Sequence, residues 1–478
     1  MKLEKWESIL VDQFGSAAVN KQAVLENKIE SVPRYVSEYI IGVYGVDGIT
    51  RATIDEACDF IRAHQFSGQQ LGLLKQKLVD EFLAKVLDKF KIEIDIKKNE
   101  NKVLMSTAQL PNIIASPSLA KEYPRLLVDG VWGLGELRYY PPGYHFMNED
   151  RENKEGIIEL QKFKPLQLSD ISFELYQQAR QTFELESWIN MLISTMGLNY
   201  QNYELREKMI LLTRLVPMVE ESIFLMEFGP PGTGKTYCYD NISAHSRVIS
   251  GSSISEAQLF YNLPRRAPGL IMQYDVVLFD EVDKVKNRGI DENVVNKLYK
   301  YMASSTFDRG EVEMSSTCGI MMVGNIPSEQ EFQEKLLFEE ILHPRLRTEA
   351  FLSRLAGLIP GWELATIDKR DVSITRHYGL MADYFSEILH ELRRENFQTL
   401  LNQHIDLLGA NIRDDDGVRK IMSGMLKLLC PHRQVDQEVL ALVADFAVEL
   451  RQKVLNQIFF LTGNSNYEVK LSWRFKDE

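Results

Sequence analysis

The fold of this 478-residue chain is decided by one stretch, Gly229-Pro230-Pro231-Gly232-Thr233-Gly234-Lys235-Thr236. An apolar run typical of a buried strand, Ile223 to Phe228, leads into it. The glycines allow the backbone to curl so that its N–H groups point at phosphate oxygens, as in a P-loop. Lys235 supplies a cation to the β- and γ-phosphates, and the hydroxyl of Thr236 is the expected Mg²⁺ ligand. The sequence therefore predicts an ATP site that uses Mg²⁺.

A second motif ends in two neighbouring carboxylates, Asp280 and Glu281. The apolar residues Val276 to Phe279 predict a buried strand, and its C-terminal end is where ligands bind in parallel sheets. Asp280 is expected to hold the Mg²⁺ shell, while Glu281 orients and polarises the attacking water. A third strand, Gly319 to Gly324, ends at Asn325, which can help to place that water. These residues predict hydrolysis in addition to binding; the alternatives are an exposed acidic pair and a plain strand-terminal asparagine.

Composition and charge limit the class of protein. Hydrophobic residues make up 45% and charged residues 26% of the chain, which is typical of a soluble globular protein. The net charge of −13 argues against a general polyanion binder, although a ring can gather its few basic residues in a channel. No signal peptide or bilayer-spanning run is expected. The four cysteines form no CxxC pair, so neither a zinc site nor a disulfide framework is expected, and a cytoplasmic location is favoured.

Five regions are expected along the chain. Residues 1–90 are predicted to form a helical N-terminal domain, and residues 91–168 a small, barrel-like β-domain that is a candidate for DNA contact. Strands and helices alternate in the core, 169–365, which predicts an α/β fold with a parallel sheet covered by helices. A helical lid domain, 366–461, and a C-terminal tail, 462–478, follow.

Within the first two regions the expected pattern changes from helix to strand at Phe90. A long helix is predicted from Gly68 to Phe90, and period-two alternation begins there. The further predicted strands are Arg125–Val128, Val131–Tyr140 and Gly156–Phe163.

The order of these motifs resembles that of the AAA+ ATPases: a P-loop comes first, then an Asp-Glu pair, then a strand that ends in Asn. In that family an arginine from a neighbouring subunit completes the site, and the candidates here are Arg345, Arg347 and Arg354. Arg354 is favoured because the family places this arginine shortly after the asparagine. Arg419, before an expected helix from Lys420 to Leu429, resembles the lid arginine that contacts the γ-phosphate in the Lon branch. The alternatives are a surface ion-pair arginine and an ordinary helix-start arginine.

Five further segments carry a closer resemblance. They are Pro124–Trp132, Leu259–Arg266, Tyr301–Ser304, Leu358–Glu363 and Val418–Lys420. They are similar to the Lon-related AAA+ proteins of BREX phage-defence systems, the BrxL family. This resemblance implies homo-hexameric rings, single or stacked in pairs as dodecamers, that enclose duplex DNA, with other BREX proteins as partners. Longer members carry a C-terminal Lon-like domain, for which the chain beyond Phe460 leaves no room, so no protease activity is expected.

DNA inside such a ring would be held by basic, sequence-blind contacts to phosphates. The candidates fall in three loops: Lys97, Lys98 and Lys102 at a hairpin tip, Arg265 and Arg266 beside prolines, and Arg309 just before the third strand. Helicase-like AAA+ proteins insert a channel hairpin at this last position. A solvated turn or a purely structural role is the alternative for each group.

The favoured function is an ATPase that closes on DNA when ATP binds and translocates or releases when ATP is hydrolysed. One alternative is a protease-less, Lon-like protein remodeller or unfoldase. It is disfavoured because Ser250–Ser255, where a substrate-gripping loop would fall, is small and polar. Another alternative is an assembly protein that binds ATP only for structure, and the presence of Glu281 argues against it.

Overall fold

The computed structural model describes most of the chain. The described residues are 3–22, 31–45, 50–95, 100–127, 130–144, 156–166, 171–250, 254–263, 267–284, 291–310, 312–327, 332–367 and 373–476. They divide into two compact units. We call Met1–Glu26, Pro33–Tyr35 and Asp170–Glu478 the sheet unit, and Asn27–Val32 with Val36–Ser169 the barrel unit.

The strands and helices have the following bounds. The strands are β1 Ala18–Asn20, β2 Leu83–Asp95, β3 Glu100–Met105, β4 Ile113–Ala115, β5 Val131–Tyr140, β6 Ile157–Pro165, β7 Phe224–Gly229, β8 Ser246–Ser250, β9 Tyr261–Asn262, β10 Ala267–Pro268, β11 Val276–Asp280, β12 Thr306–Arg309, β13 Val312–Ser315, β14 Gly319–Asn325, β15 Gly357–Pro360, β16 Tyr378–Leu380, β17 Ile405–Leu408 and β18 Ser472–Phe475. The helices are Lys5–Phe14, Arg34–Tyr44, Arg51–His64, Leu71–Glu81, Pro117–Glu122, Phe173–Arg180, Leu185–Thr195, Leu205–Thr213, Val216–Val219, Tyr237–Asn241, Glu256–Leu259, Glu292–Ser304, Leu337–Ile341, Glu349–Leu352, Ala382–Leu392, Gln398–His404, Ile412–Leu429 and Gln437–Thr462.

The barrel unit contains a closed barrel with the strand order β2-β3-β4-β6-β5. The pair β4–β6 is parallel and the other neighbours are antiparallel. Mostly aliphatic side chains fill the core, and among them the rings of Phe90 and Phe163 meet edge to face with centroids 5.6 Å apart. Closure removes the exposed strand edges that an open sheet of this size would present.

Two predictions within the barrel unit are wrong. The helix predicted from Gly68 to Phe90 ends at Glu81, because Phe82 adopts a left-handed backbone (φ 57°) and the chain turns into β2. The misleading signal is the set Val86, Leu87 and Phe90. All three side chains are fully buried, and their spacing also fits one face of a helix. The segment predicted as a strand at Arg125–Val128 is instead a single 3₁₀ turn over Pro124–Leu127.

The sheet unit is built on five strands in the order β15-β7-β14-β11-β8, and all neighbouring pairs are parallel. When the five strands are numbered by their order in the chain, their order across the sheet is 5-1-4-3-2. Every residue of β7 and β15 is buried, as expected for a sheet with both faces covered. The predicted α/β core with a parallel, helix-covered sheet is confirmed.

The region predicted as a helical lid also contains the short strands β16 and β17, which pair with β1 and β18. The helix Ile412–Leu429 lies close to the sheet, since a Cβ on Gly417 would come within 3.1 Å of the Ala356 Cα. In the described part of the chain, no helix is both long and apolar enough to cross a membrane. The domain boundaries expected from the sequence stay predictions.

Candidate nucleotide site

The P-loop connects β7 to the helix Tyr237–Asn241 and depends on its glycines. Gly232 (φ 84°) and Gly234 (φ 76°) adopt left-handed backbone conformations that residues with a side chain rarely take. Gly229 has no room for a side chain, because a Cβ there would lie 2.6 Å from the carbonyl carbon and oxygen of Gly361. The loop can therefore keep this curvature only with glycine at these positions.

Lys235 lies buried at the carboxyl edge of the sheet. Its Nζ donates hydrogen bonds to the carbonyl oxygens of Gly229 (2.9 Å) and Pro230 (2.7 Å) and to Oδ1 of Asn325 (3.2 Å). Burial lowers the pKa of the Lys235 ammonium, while the charge of Glu227 acts in the opposite direction. The strand register explains the contact with Asn325, because β14 pairs with β7 so that Asn325 lies beside Gly229.

Thr236 and Asp280, the two expected Mg²⁺ ligands, are in contact. The Thr236 hydroxyl donates to Oδ2 of Asp280 at 2.9 Å, and Oδ1 of Asp280 accepts the N–H of Glu281 at 2.7 Å. A hydroxyl oxygen and a carboxylate oxygen beside a phosphate-binding loop are the hard donors that Mg²⁺ prefers. This donor set therefore fits the ion predicted from the sequence.

Glu281 has an unusual backbone conformation for a residue with a side chain, with φ at 56°. Its carboxylate forms an ion pair with Lys284, three residues further along the chain. Left-handed non-glycine residues cost of order 1–3 kcal/mol and cluster at functional sites. Here the conformation ends β11 at Asp280, so Glu281 does not continue the strand. Lys284 was not identified from the sequence.

Asp283 is a further acid that sequence reasoning missed. Its Oδ1 accepts the backbone N–H of Asn325 at 3.0 Å, and a Cβ on Gly324 would lie 3.1 Å from the same oxygen. Asp283 therefore fixes the end of β14 against the segment that follows β11. The available signal was a third carboxylate directly downstream of the Asp280-Glu281 pair.

A buried ion pair is connected to the P-loop by a hydrogen bond. Arg214 and Glu227 have fully buried side chains, with Nη2 and Oε1 2.6 Å apart. Arg214 Nη1 also donates to the carbonyl oxygen of Thr233 inside the P-loop at 2.8 Å. Burial alone would lower the pKa of Arg214, but the charge and hydrogen bonds of Glu227 outweigh it and raise the pKa. The sequence signal was a single acid inside the otherwise apolar strand β7.

The three candidates for the arginine that acts on a neighbouring subunit have different surroundings. Arg345 pairs with Glu292 at 3.1 Å, and Arg347 Nε donates to the Leu342 carbonyl oxygen at 2.7 Å. Arg354 donates from Nη1 to the carbonyl oxygen of Ala350. Its buried Nε has no hydrogen-bond partner among the described residues.

Arg354 also lines a cavity of about 320 Å³ together with Arg413 and Lys420. Partial burial, followed by the nearby charge of Arg413, lowers the pKa of the Arg354 guanidinium. An anion entering this cavity would relieve both the repulsion and the unpaired N–H. Which of the three arginines acts in trans stays a prediction.

The expected lid arginine is placed differently from the prediction. Arg419 lies inside the helix Ile412–Leu429, not ahead of a helix that begins at Lys420. The correct start is at Asn411, whose side chain caps the helix by accepting the N–H groups of its second and third residues. Arg419 contacts Asp415 and the Ile405 carbonyl oxygen, and within the described residues none of its hydrogen bonds reaches the P-loop.

The candidate DNA contacts are only partly described. Lys97, Lys98, Arg265 and Arg266 lie outside the described residues, as does the side chain of Arg309. Lys102 lies on β3 and pairs with Asp95 at 2.7 Å. The hairpin expected just before β14 is present as β12 and β13. Gly310 lies at its tip in a left-handed conformation (φ 61°). The assignment of all these residues to DNA stays a prediction.

Comparison with known proteins supports the same reading of the fold. Residues 158–472 match the family described as Lon-like protease BrxL-like, ATPase domain, and residues 12–139 match the BREX system Lon protease-like protein BrxL N-terminal family. A relative named Lon-like protease BrxL from Escherichia coli O9:H4 (strain HS) is 29% identical over 476 residues, which cover 98% of this chain and 66% of the relative.

A second relative of the same name, from Bacillus cereus (strain H3081.97), is 31% identical over 475 residues. The match covers 96% of this chain and 68% of that protein. The chain thus spans about two thirds of the length of these curated relatives.

Proposed function

Because the chain belongs to the BrxL family and carries that family's ATPase domain, we propose that it is an AAA+ ATPase of BREX defence that hydrolyses ATP between the subunits of a ring around duplex DNA. The observation that carries the ATPase step is the meeting of three neighbouring strands at one sheet edge. There Lys235 contacts Asn325, and Thr236 contacts Asp280.

Each residue of this edge has a defined task in hydrolysis. ATP displaces Lys235 from the carbonyl oxygens of Gly229 and Pro230, and the ammonium then faces phosphate. Thr236 and Asp280 would hold Mg²⁺, which would stabilise the negative charge of the phosphates. Catalysis of phosphoryl transfer is mostly positioning and electrostatics, so the remaining requirement is an oriented water.

Glu281 is the group proposed to orient that water and to accept its proton. Its carboxylate is paired with Lys284, so hydrolysis requires a carboxylate oxygen to exchange this partner for water. Asn325 supports the same water from β14, where Asp283 fixes its backbone. Arg354 of a neighbouring subunit is proposed to neutralise the charge that develops on the γ-phosphate, which makes the assembled ring the active form.

The ATPase proposal is tested by the Glu281→Gln variant. It should bind ATP with wild-type affinity but turn it over about 10²–10⁴-fold more slowly, because an amide cannot accept the proton of water. Glu438→Gln, on an exposed first turn of the helix Gln437–Thr462, is the matched control and should retain wild-type turnover. Wild-type turnover by Glu281→Gln would contradict the role of Glu281 and favour a structural use of ATP.

The DNA and ring proposals rest on family membership and need their own test. Particles prepared with ATP and duplex DNA should image as rings with DNA in the central hole, and binding should weaken steeply with salt. ATPase activity per chain should fall on dilution, since Arg354 of one subunit serves the next. Stimulation of the ATPase by unfolded protein but not by duplex DNA would instead support the remodeller alternative.

A further inference from the structure

A second cluster of polar side chains lies at the amino edge of the parallel sheet. His245 immediately precedes β8, and Asp275 immediately precedes β11. His390 lies in the last turn of the helix Ala382–Leu392. Because the strands are parallel, the starts of β8 and β11 lie at the edge opposite Asp280 and the P-loop. The cluster is therefore separate from the nucleotide site.

The three side chains form a compact, partly buried group. The two imidazole rings stack with centroids 4.2 Å apart and planes inclined by 12°. Oδ2 of Asp275 lies 2.6 Å from His390 Nδ1 and 4.0 Å from His245 Nδ1. One ligand atom from each residue lies within 4.8 Å of the others. His390, with 32% of its side chain exposed, leaves the group open to solvent on one side.

We propose that His245, Asp275 and His390 bind a divalent transition-metal ion, with zinc as the best fit. Two imidazole nitrogens and one carboxylate oxygen are a recurrent zinc donor set, and water would fill the fourth position. Zinc holds these atoms at about 2.0–2.2 Å, so two ligand atoms in its shell are at most about 4 Å apart. The 2.6 and 4.0 Å spacings from Oδ2 of Asp275 bracket the separation expected between two ligands of a tetrahedral ion. Because the two imidazole planes are nearly parallel, at least one ring must turn out of the stack before both rings can face the same ion.

The surroundings match the outer shell that metal-binding histidines usually have. His245 Nε2 lies 3.0 Å from Oε1 of Glu387. Such a carboxylate holds the proton on Nε2 and leaves Nδ1 free to bind metal. The second oxygen of Asp275 faces Arg393 Nε at 3.6 Å, so His245 and Asp275 each have an orienting partner. The cysteines, which are the usual sequence signal for zinc, take no part.

The competing interpretation is a hydrogen-bonded His–Asp pair that holds a proton instead of a metal. The groups facing His390 are Asp275, His245, Glu387, Glu391 and Arg393. The hydrogen bond that His390 Nδ1 donates to Asp275 is the largest influence and raises the pKa of His390. Metal ligation requires a neutral imidazole, so zinc would displace this proton and bind more tightly as pH rises.

A bound ion would have a structural consequence. It would tie the last turn of the helix Ala382–Leu392 to the starts of β8 and β11. Binding to the native state alone raises stability by mass action, so ion and fold are thermodynamically linked. The ligands are 145 residues apart along the chain, from His245 to His390, so the site exists only after the sheet unit has folded.

The test uses the full chain stripped with a chelator, then given excess Mg²⁺ to occupy the acidic groups near the P-loop. Titration with Co²⁺ should show one equivalent per chain, a visible absorption typical of low-coordinate cobalt without thiolate bands, and displacement by Zn²⁺. Zn²⁺ should also raise the midpoint of the thermal unfolding transition that belongs to the sheet unit. His390→Ala should weaken Co²⁺ binding at least tenfold, whereas the exposed control His404→Ala should leave it unchanged.

Glu387→Gln keeps all three ligands and should weaken binding about 10–100-fold, which gives a second readout if His390→Ala does not fold. Three results would overturn the proposal. They are a wild-type chain that takes up no Co²⁺, a cobalt spectrum dominated by thiolate bands, and Co²⁺ affinity that is the same in wild type and in whichever of the two variants folds.

Discussion

Replacing Arg214 with methionine tests whether the buried pair under the P-loop holds the sheet unit together. In the wild type, the guanidinium neutralises Glu227 and also donates to the carbonyl oxygen of Thr233. The Arg214→Met variant leaves the Glu227 carboxylate fully buried without its partner. Removing one member of a buried ion pair costs about 3–5 kcal/mol, because the remaining charge keeps its desolvation penalty.

The double variant Arg214→Met/Glu227→Leu separates the charge from the packing. Replacing both members of a buried pair with apolar residues is often neutral or stabilising, so most of the stability should return. The hydrogen bond to Thr233 does not return, and a bond of about 1 kcal/mol corresponds to roughly fivefold weaker ATP binding. The stability and the nucleotide affinity of the double variant are therefore expected to diverge.

The matched control is Arg206→Met. Arg206 also pairs with two carboxylates, Glu363 and Glu449, each at 2.6 Å, but about half of its side chain is exposed. An exposed pair is worth about 1 kcal/mol or less. Because the chain forms two compact units, a whole-chain unfolding midpoint mixes two transitions. Hydrogen exchange of peptides covering β7 is the more direct measurement, and equal losses of protection in Arg214→Met and Arg206→Met would refute the argument.

Three further predictions concern other parts of the sheet unit. Asp283→Ala should lower kcat about tenfold with little change in KM for ATP, because a backbone N–H at the end of β14 loses its acceptor; steady-state kinetics measures both. Gly229→Ala should abolish binding of a fluorescent ATP analogue, because its Cβ meets the Gly361 backbone at 2.6 Å, whereas Gly72→Ala, with open space around it, should bind normally. With a chelator present, His390→Gln should lower the free energy of unfolding in urea more at pH 6 than at pH 9. A histidine whose pKa is raised in the folded state stabilises the fold below about pH 6.5, and this stabilisation disappears as the pH rises through the folded-state pKa.

The sequence was sufficient for the parts of the site that local patterns encode. The P-loop pattern and the apolar strands before Asp280 and Asn325 each place a polar group at a strand end, and parallel strands bring those ends to one edge. Both contacts at the P-loop, Lys235 to Asn325 and Thr236 to Asp280, follow from that rule. The order of the strands across the sheet does not follow from it, since it depends on helix packing between distant segments.

The features that the sequence did not reveal are those that depend on distance or on a choice between two local patterns. Arg214 and Glu227 are 13 residues apart and meet only because a helix end packs under β7. The apolar spacing around Phe90 satisfies a helix and a strand equally, and barrel closure decides in favour of the strand. The helix that contains Arg419 begins earlier than the apolar pattern predicts, because Asn411 caps it ahead of the polar residues of its first turns.

The position of β14 brings Asn325 into contact with two other residues of the candidate site. Its side chain accepts from Lys235 on one side, and its backbone donates to Asp283 on the other. A phosphate that draws Lys235 away from Asn325 therefore acts on a strand end that is also tied to the segment carrying Glu281. Glu281 has a left-handed backbone, which the surrounding structure must maintain, so a small shift there would change where its carboxylate points. We therefore expect nucleotide occupancy to influence the orientation of the proposed general base through this short path, and Asp283→Ala to interrupt the path without removing a group proposed to touch ATP.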